Sequence, residues 1–183
     1  MKFGLLRIGS VPSDVIKRIQ RSLASVFPDT ICTIIEETMP LPEEAFDQKR
    51  SQYRSSLILG EIERFAAKRR DLDAVLGVVN ADIYVPGLNF VFGEAVSPGN
   101  VALISLWRLR AEFYGEPSDA ELFLERAVKE AVHEVGHTLG LPHCKRPSCV
   151  MHFSNSIVDT DRKQALFCDR CGVQVAAKIS QSR

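Results

Sequence analysis

The stretch that decides the fold is HEVGHTLGLPHC, which covers residues 133–144. His133 and His137 are four positions apart in a run with helical apolar spacing, so both imidazoles lie on one face of a helix. A third histidine, His143, follows six positions later. A catalytic zinc ion takes three protein ligands, with bonds to histidine nitrogen of about 2.0–2.1 Å, and keeps an open position. The spacing therefore predicts a catalytic zinc site held by these three histidines.

Glu134 and Gly140 complete the pattern. Gly140 permits a positive φ, which allows the chain to leave the helix sharply and to bring His143 back toward the metal. Glu134 is adjacent to the first ligand, and we expect it to act as the general base on a zinc-activated water. Two alternatives stay open: ordinary histidines on a helix face, and an intact zinc site without enzyme activity.

Four of the five cysteines form two pairs late in the chain. Cys144 and Cys149 are separated by four residues, and Cys168 and Cys171 are separated by two. Two cysteine pairs with this spacing are typical of a tetrathiolate zinc site. Such a site is closed to substrate and contributes folding free energy. The cofactor prediction is therefore two Zn²⁺ per chain, one catalytic and one structural. Two disulfides or free thiols remain the alternatives, and Cys32 is expected in the core.

His143 and Cys144 are neighbours, and neighbouring side chains of an extended chain point in opposite directions. One side chain can then face the catalytic metal while the other faces the structural metal. We therefore expect the tetrathiolate site to support the segment that delivers the third histidine. His152 has no place in either pattern, and we expect it to be exposed or hydrogen-bonded, with substrate contact or substitute ligation as alternatives.

Periodicity outside the motif predicts alternating strands and helices. Apolar and β-branched runs predict strands at 2–8, 30–39 and 74–79, and helical spacing predicts helices at 12–27 and 53–69. A long helix is expected from about 118 to 139, with Ser118 and Glu121 as a capping box. Three short apolar runs precede it at 83–85, 88–92 and 101–106, and the last two are expected to pair antiparallel.

This alternation predicts an α/β fold with a mixed, mostly parallel twisted sheet and packed helices. The long helix carries the first two histidines of the site. Short helices near 159–167 and 172–180 are expected in a small C-terminal subdomain that zinc stabilises. We expect one domain over residues 1–183, divided into an α/β subdomain (1–140) and the C-terminal subdomain (141–183).

Composition narrows the class of protein. Hydrophobic residues make up 45% and charged residues 25% of the 183 residues, which excludes a largely disordered chain. Lys+Arg and Asp+Glu are both 23, so no basic excess favours nucleic acid. Arg7 interrupts the N-terminal apolar run and no run has the length of a membrane span, so neither export nor membrane association is expected. We expect a cytoplasmic monomer whose partner is a peptide substrate.

The histidine stretch and the methionine that follows it resemble the metzincin clan of zinc peptidases. Within that clan, two features are similar to the archaemetzincins, a family of metalloproteases. They are the run His143-Cys144-x4-Cys149-Val150-Met151 and the later Cys168-x-x-Cys171. The resemblance implies an α/β fold with a long active-site helix, the same ligands for both metals, and the same role for Glu134.

The resemblance also implies roles outside the ligand set. Met151 would be the Met-turn residue, packed beneath the catalytic metal. The run 88–92 would be the edge strand that pairs with an extended peptide, and an ordinary hairpin strand is the open alternative. Several metzincins place a tyrosine two residues after the methionine, where this chain has Phe153, so a hydroxyl is absent there.

These observations predict a zinc-dependent metallopeptidase that hydrolyses peptide bonds. The alternative is a catalytically inactive protein that is stabilised by zinc and binds peptides or partner proteins. A zinc-dependent amidase acting on non-peptide amides is a third hypothesis.

Overall fold

The computed structural model describes residues 1–181. Its strands, in chain order, are β1 (Lys2–Ile8), β2 (Ile31–Met39), β3 (Phe46–Asp47), β4 (Gln52–Arg54), β5 (Ala74–Val79), β6 (Ile83–Tyr84), β7 (Gly93–Ala95) and β8 (Val101–Ser105). Its α-helices are α1 (Ser13–Val26), α2 (Ser55–Ala66), α3 (Ala120–Thr138), α4 (Ile157–Arg162) and α5 (Asp169–Gln181). Within the described range, no helix combines the length and the apolar character that crossing a membrane requires.

Five strands form the main sheet in the order β2-β1-β5-β8-β7. β1 pairs with β2 and with β5, and β5 pairs with β8, all in parallel, whereas β7 runs antiparallel to β8. Parallel strands are covered by helices on both faces and therefore consist of continuous apolar runs. All six residues of β5 are buried. The prediction of a mixed, mostly parallel α/β sheet is confirmed.

Neighbouring residues of β1 enter two cores on opposite faces of the sheet, because side chains alternate along a strand. Leu5 packs in the core that holds Ile16 of α1 and Val132 of α3. Leu6 packs in the core that holds Ile58 of α2. The helices therefore form two outer layers, and α3, which carries His133 and His137, lies against β7 and β8 at one edge of the sheet.

The start of α3 differs from the predicted capping box. The N-cap is Asp119, whose carboxylate accepts a hydrogen bond of 2.9 Å from the backbone N–H of Leu122. The box predicted from Ser118 and Glu121 is therefore wrong. The helix begins one residue later than the box requires, and an aspartate caps a helix as well as a serine does.

The run 88–92 is not a strand, so the prediction of an edge strand there is wrong. The edge strand is β7, which begins directly afterwards at Gly93 and makes the antiparallel pair with β8. Within this run Phe92 is buried and Phe90 contacts its ring at a centroid distance of 5.1 Å, so these two aromatic residues pack, whereas Leu88 is exposed.

Three further elements differ from expectation. A second sheet of order β3-β4-β6 was not predicted, because strands of two or three residues are too short to show a period. The helix predicted at 159–167 is α4, which begins earlier because Ser156 and Asp159 form its capping box. The helix predicted at 172–180 is α5, which begins at Asp169.

Two ion pairs hold the chain after the motif against α3. Arg126 donates two hydrogen bonds of 2.7 and 2.8 Å to the Asp161 carboxylate. Glu130 accepts bonds of 3.0 Å from both Thr160 and Lys163, and Lys163 is 2% exposed. Charges as deeply buried as those of Glu130 and Lys163 are tolerated only when they are paired and hydrogen-bonded. The pairs therefore set where α4 lies relative to the histidine helix.

Candidate metal centres

Three imidazoles meet at the C-terminal end of α3. His137 Nε2 lies 3.1 Å from His133 Nε2 and 3.2 Å from His143 Nε2. A tetrahedral zinc ion with bonds of about 2.0–2.1 Å holds its ligand nitrogens about 3.3 Å apart. The spacing therefore fits one ion between the three nitrogens. His133 is buried, His137 is half-buried and His143 is exposed, so one side of the cluster is open to solvent.

Backbone carbonyls orient two of the rings. His133 Nδ1 lies 2.7 Å from the Val150 carbonyl, and His137 Nδ1 lies 2.7 Å from the Leu141 carbonyl. Because a carbonyl oxygen only accepts, each Nδ1 carries the proton and each Nε2 presents a lone pair. Facing lone pairs repel unless a cation lies between them. Burial also lowers the pKa of His133 well below its usual value, which favours the neutral form that binds metal.

The turn after α3 delivers the third histidine. Gly140 has a φ of 82°, in the left-handed region that glycine adopts without strain. Gly140 N donates to His137 O at 2.8 Å and Leu141 N donates to Gly136 O at 3.2 Å, which is the bond pattern of a Schellman motif. The same turn therefore places the Leu141 carbonyl against the His137 ring and returns His143 to the cluster.

Glu134 is buried beside the histidines and packs against the edge strand. A Cβ atom on Gly93 of β7 would lie 2.6 Å from both Cγ and Oε1 of Glu134, so only glycine leaves room for this carboxyl. Burial raises the pKa of Glu134 well above its usual value, and the negative charge of Glu130 raises it further. A carboxyl with a raised pKa can accept and retain a proton near neutral pH.

The four late cysteines form a second cluster, with ligand atoms that all lie within 4.8 Å of one another. Cys144 Sγ is 3.9 Å from Cys168 Sγ. A disulfide requires about 2.05 Å, whereas two sulfurs on a tetrahedral zinc ion with bonds of about 2.3 Å are about 3.8 Å apart. All five cysteines are free, so the disulfide alternative is wrong. Cys32 lies in the core as expected, where burial raises its pKa to about 12.

Backbone bonds connect the two clusters. Cys144 N donates to Met151 O at 2.8 Å, and His152 Nδ1 lies 2.9 Å from Cys144 O. His143 therefore precedes a residue that is held through its sulfur and through both of its backbone groups. His152 is partly buried and hydrogen-bonded, which is one of the two environments expected for it.

Met151 is fully buried and packs against α3 between the two helical histidines. A Cβ atom on Gly136 would lie 2.5 Å from Met151 Sδ, so this glycine permits the close approach of the methionine. Phe153 follows, and its ring makes an edge contact with the His143 ring at a centroid distance of 5.0 Å. The segment between the two cysteine pairs thus packs against α3 through Met151 and contacts the His143 ring through Phe153.

A cleft of about 400 Å³ opens over the histidine cluster. Its lining comes from α3, from the chain that includes β7, and from the segment after Met151. The lining residues are 88–95, Ser97, Glu130, His133, Glu134, His137, His143 and 153–155. The open side of the candidate metal site thus faces a space large enough for several residues of an extended chain.

Sequence reasoning missed the carbonyls of Val150 and Leu141 and the close approaches at Gly93 and Gly136. A backbone carbonyl has no residue signature, so no sequence signal identifies the first two. Gly136 did carry a signal, because glycine inside a helix costs about 1 kcal/mol relative to alanine and therefore suggests tight packing. Gly93 carried none, because its partner Glu134 is distant in the sequence.

We expect Gly136→Ala to lower the free energy of unfolding by about 1–3 kcal/mol, because the added methyl group collides with the fully buried Met151. The matched control is Gly60→Ala on α2, where a Cβ meets nothing within 4 Å. That change should raise stability by about 0.5–1 kcal/mol through helix propensity alone. Urea unfolding measures both, and equal shifts of one sign would contradict the contact between Gly136 and Met151.

The chain is similar to known proteins over almost its whole length. The sequence pattern of Peptidase family M54 matches residues 4–177. The chain is 42% identical to the archaemetzincin of Pyrococcus abyssi (strain GE5 / Orsay), over 97% of this chain and 96% of the relative. It is 43% identical to the archaemetzincin of Methanocaldococcus jannaschii, over 93% of this chain and 90% of the relative.

Solved structures agree with this result. The archaemetzincin of Methanopyrus kandleri superposes with a TM-score of 0.86 at 37% identity, covering 98% of this chain and 96% of that chain. A zinc-dependent peptidase from Methanocorpusculum labreanum superposes with a TM-score of 0.85 at 31% identity, covering 94% and 99%. The chain therefore belongs to peptidase family M54, the archaemetzincins, and is a zinc metallopeptidase.

Proposed function

We propose that this peptidase hydrolyses peptide bonds at the histidine cluster, with His133, His137 and His143 as the ligands of a catalytic zinc ion and Glu134 as the general base. The observation that carries the proposal is the position of His137 Nε2, which lies 3.1 Å from His133 Nε2 and 3.2 Å from His143 Nε2. Backbone carbonyls orient the rings of His133 and His137. The cluster opens into the cleft, so a substrate can reach it.

Zinc, when bound, supplies Lewis acidity that activates water and polarises a peptide carbonyl. The three imidazoles stay neutral and hold their Nε2 lone pairs toward one point. A carboxylate oxygen of Glu134 takes up the proton of the attacking water and passes it to the leaving amine. Burial beside Gly93 supports this role, because it holds the carboxyl in one place and raises its pKa.

The edge strand β7 supports an extended peptide as substrate. It is the last strand of the main sheet and lines the cleft. An outer strand presents backbone N–H and C=O groups that another extended chain can pair with. We infer that a substrate peptide pairs its backbone with β7 and places its scissile bond above the histidines. Residues 88–92 line the cleft without forming a strand.

The cysteine cluster suits a second, structural zinc ion, which makes two zinc ions per chain. Cys144, Cys149, Cys168 and Cys171 offer four sulfurs and no open position, so this metal would contribute folding free energy. Its effect on catalysis is indirect. It holds Cys144, and through Cys144 it supports the adjacent His143.

We expect Glu134→Gln to reduce peptide hydrolysis by about 10²–10⁴-fold with unchanged zinc content, because the amide keeps the shape of the carboxyl and cannot accept the proton. Cleavage of a peptide library, followed by mass spectrometry with and without a chelator, measures the loss. Peptide cleavage by Glu134→Gln at the wild-type rate would show that another residue is the general base. No cleavage by zinc-loaded wild type would favour the inactive binding protein instead.

We expect Gly93→Ala to lower kcat by up to about 10²-fold, because the new methyl group displaces the Glu134 carboxyl. Zinc content should stay at the wild-type value, since the three atoms nearest to the added methyl group all belong to Glu134, which is not a proposed ligand. Gly60→Ala serves as the control and should leave kcat unchanged. Wild-type kcat in Gly93→Ala would show that the position of Glu134 does not limit the reaction.

We expect wild-type protein to bind two zinc ions and both His137→Ala and Cys168→Ser to bind one. Only Cys168→Ser should lower the free energy of unfolding strongly, because the closed site is the one that contributes folding free energy. Elemental analysis of dialysed protein and urea unfolding measure the two quantities. One zinc ion in the wild type would contradict the assignment of one cluster.

A further inference from the structure

We propose that Arg50 and Gln52 are positioning residues for the substrate cleft. They hold residues 88–92, which we call the wall segment, in the shape against which a bound peptide lies. The inference rests on the proposed function, because it assumes that the cleft over the histidines binds peptide. It assigns a role to the small second sheet, whose strand β4 contains Gln52 and whose strand β6 precedes the wall segment.

Side chains, rather than a neighbouring strand, satisfy the first carbonyls of the wall segment. Arg50 Nη2 donates to Leu88 O at 3.0 Å and to Asn89 O at 2.8 Å. Gln52 Nε2 donates to Asn89 O at 3.0 Å. Two carbonyls at the mouth of the cleft thus depend on two side chains that lie about 40 residues earlier in the chain.

The two side chains are themselves held in place. Arg50 Nε donates to Gln52 Oε1 at 2.9 Å, and the Arg50 guanidinium stacks over the Tyr84 ring at 4.2 Å. Gln52 is 5% exposed, and its Nε2 also donates to Asp82 at 3.1 Å. A buried amide with this many bonds has one orientation, so its bond to Asn89 is fixed.

Asp82 and Arg108 extend the network to the aromatic part of the wall segment. Arg108 donates two hydrogen bonds of 2.7 Å to the Asp82 carboxylate. The Arg108 guanidinium lies over the Phe90 ring at 4.3 Å. The wall segment is therefore held at its backbone by Arg50 and Gln52 and at the Phe90 ring by Arg108.

The wall segment needs these contacts because it forms no strand. Its backbone makes only scattered bonds to other backbone groups: Leu88 N to Val85 O, Val91 N to Ile83 O, and Ser105 N to Phe92 O. A segment without a ladder samples several conformations unless side chains hold it. Holding it before binding removes an ordering cost that would otherwise reduce peptide affinity.

The test compares Arg50→Ala and Arg50→Lys with the control Arg70→Ala, which removes the same charge at an exposed position outside this network. The probes are acetohydroxamic acid, which is small enough to reach the metal alone, and two tetra-alanine peptides that carry a hydroxamate at the amino or the carboxyl end. Binding to zinc-loaded protein is measured by calorimetry, so no hydrolysis is needed.

We expect Arg50→Ala to lower the binding affinity of at least one peptide hydroxamate by about tenfold. The affinity of acetohydroxamic acid should stay unchanged. Hydrogen exchange of the amides in 88–92 should become faster, while zinc content stays the same. The peptide affinity of Arg50→Lys should lie between those of wild type and Arg50→Ala. Lysine keeps the positive charge but lacks the planar guanidinium that donates to two carbonyls. Arg70→Ala should match wild type in every measurement.

Unchanged affinity for both peptide hydroxamates in Arg50→Ala would overturn the inference. An equal loss of affinity for acetohydroxamic acid would also overturn it, because it would indicate a general disturbance of the site. An equal loss of peptide affinity in Arg70→Ala would overturn it as well. Failure of all three hydroxamates to bind wild-type protein would instead contradict the proposed catalytic site. The two failures are therefore distinguishable.

Discussion

The constraint on which the rest of the structure depends is the approach of His137 Nε2 to the Nε2 atoms of His133 and His143, at 3.1 and 3.2 Å. With protons on the Nδ1 atoms of His133 and His137, the facing Nε2 atoms carry lone pairs, and only a cation makes their approach favourable. Holding such a cluster in place requires rigid support on every side. The carbonyls of Val150 and Leu141 provide it for the two helical rings.

His143 receives its support from a different source, because it lies beyond the end of the helix. Gly140 turns the chain back, and the adjacent Cys144 belongs to a closed cluster of four sulfurs. The backbone of Cys144 is also bonded to Met151 and His152. A short chain segment thus joins an open site, which must stay accessible, to a closed one, which is suited to supply folding free energy.

The position of the edge strand β7 couples the sheet to the chemistry. Gly93 allows the Glu134 carboxyl to contact β7, which lines the cleft. The proposed base therefore contacts the strand that we propose pairs with the substrate. The wall segment, which precedes β7, lines the same cleft without being a strand. Its shape comes from the polar network of Gln52 and Arg50, which belongs to the second sheet and its turn.

The sequence by itself determined the α/β class and the mostly parallel sheet, because these follow from periodicity. Its spacing also selected the two sets of candidate ligands that the structure brings together. It misplaced the edge strand at 88–92, since an apolar run does not reveal whether it pairs with a strand or packs against other side chains. It also selected Ser118 for the cap that Asp119 makes, since two neighbouring residues with similar capping ability differ only in where the helix starts.

Only the tertiary structure decided the contacts that join distant parts of the chain. The approach of Gly93 to Glu134, the packing of Met151 on Gly136, and the bond from Arg50 to the carbonyls before β7 all depend on how separate elements meet. Candidate histidine and cysteine ligands can be recognised in a sequence from their side-chain chemistry and their regular spacing. A backbone carbonyl or a missing Cβ acts through position alone, and position is set by packing rather than by local sequence.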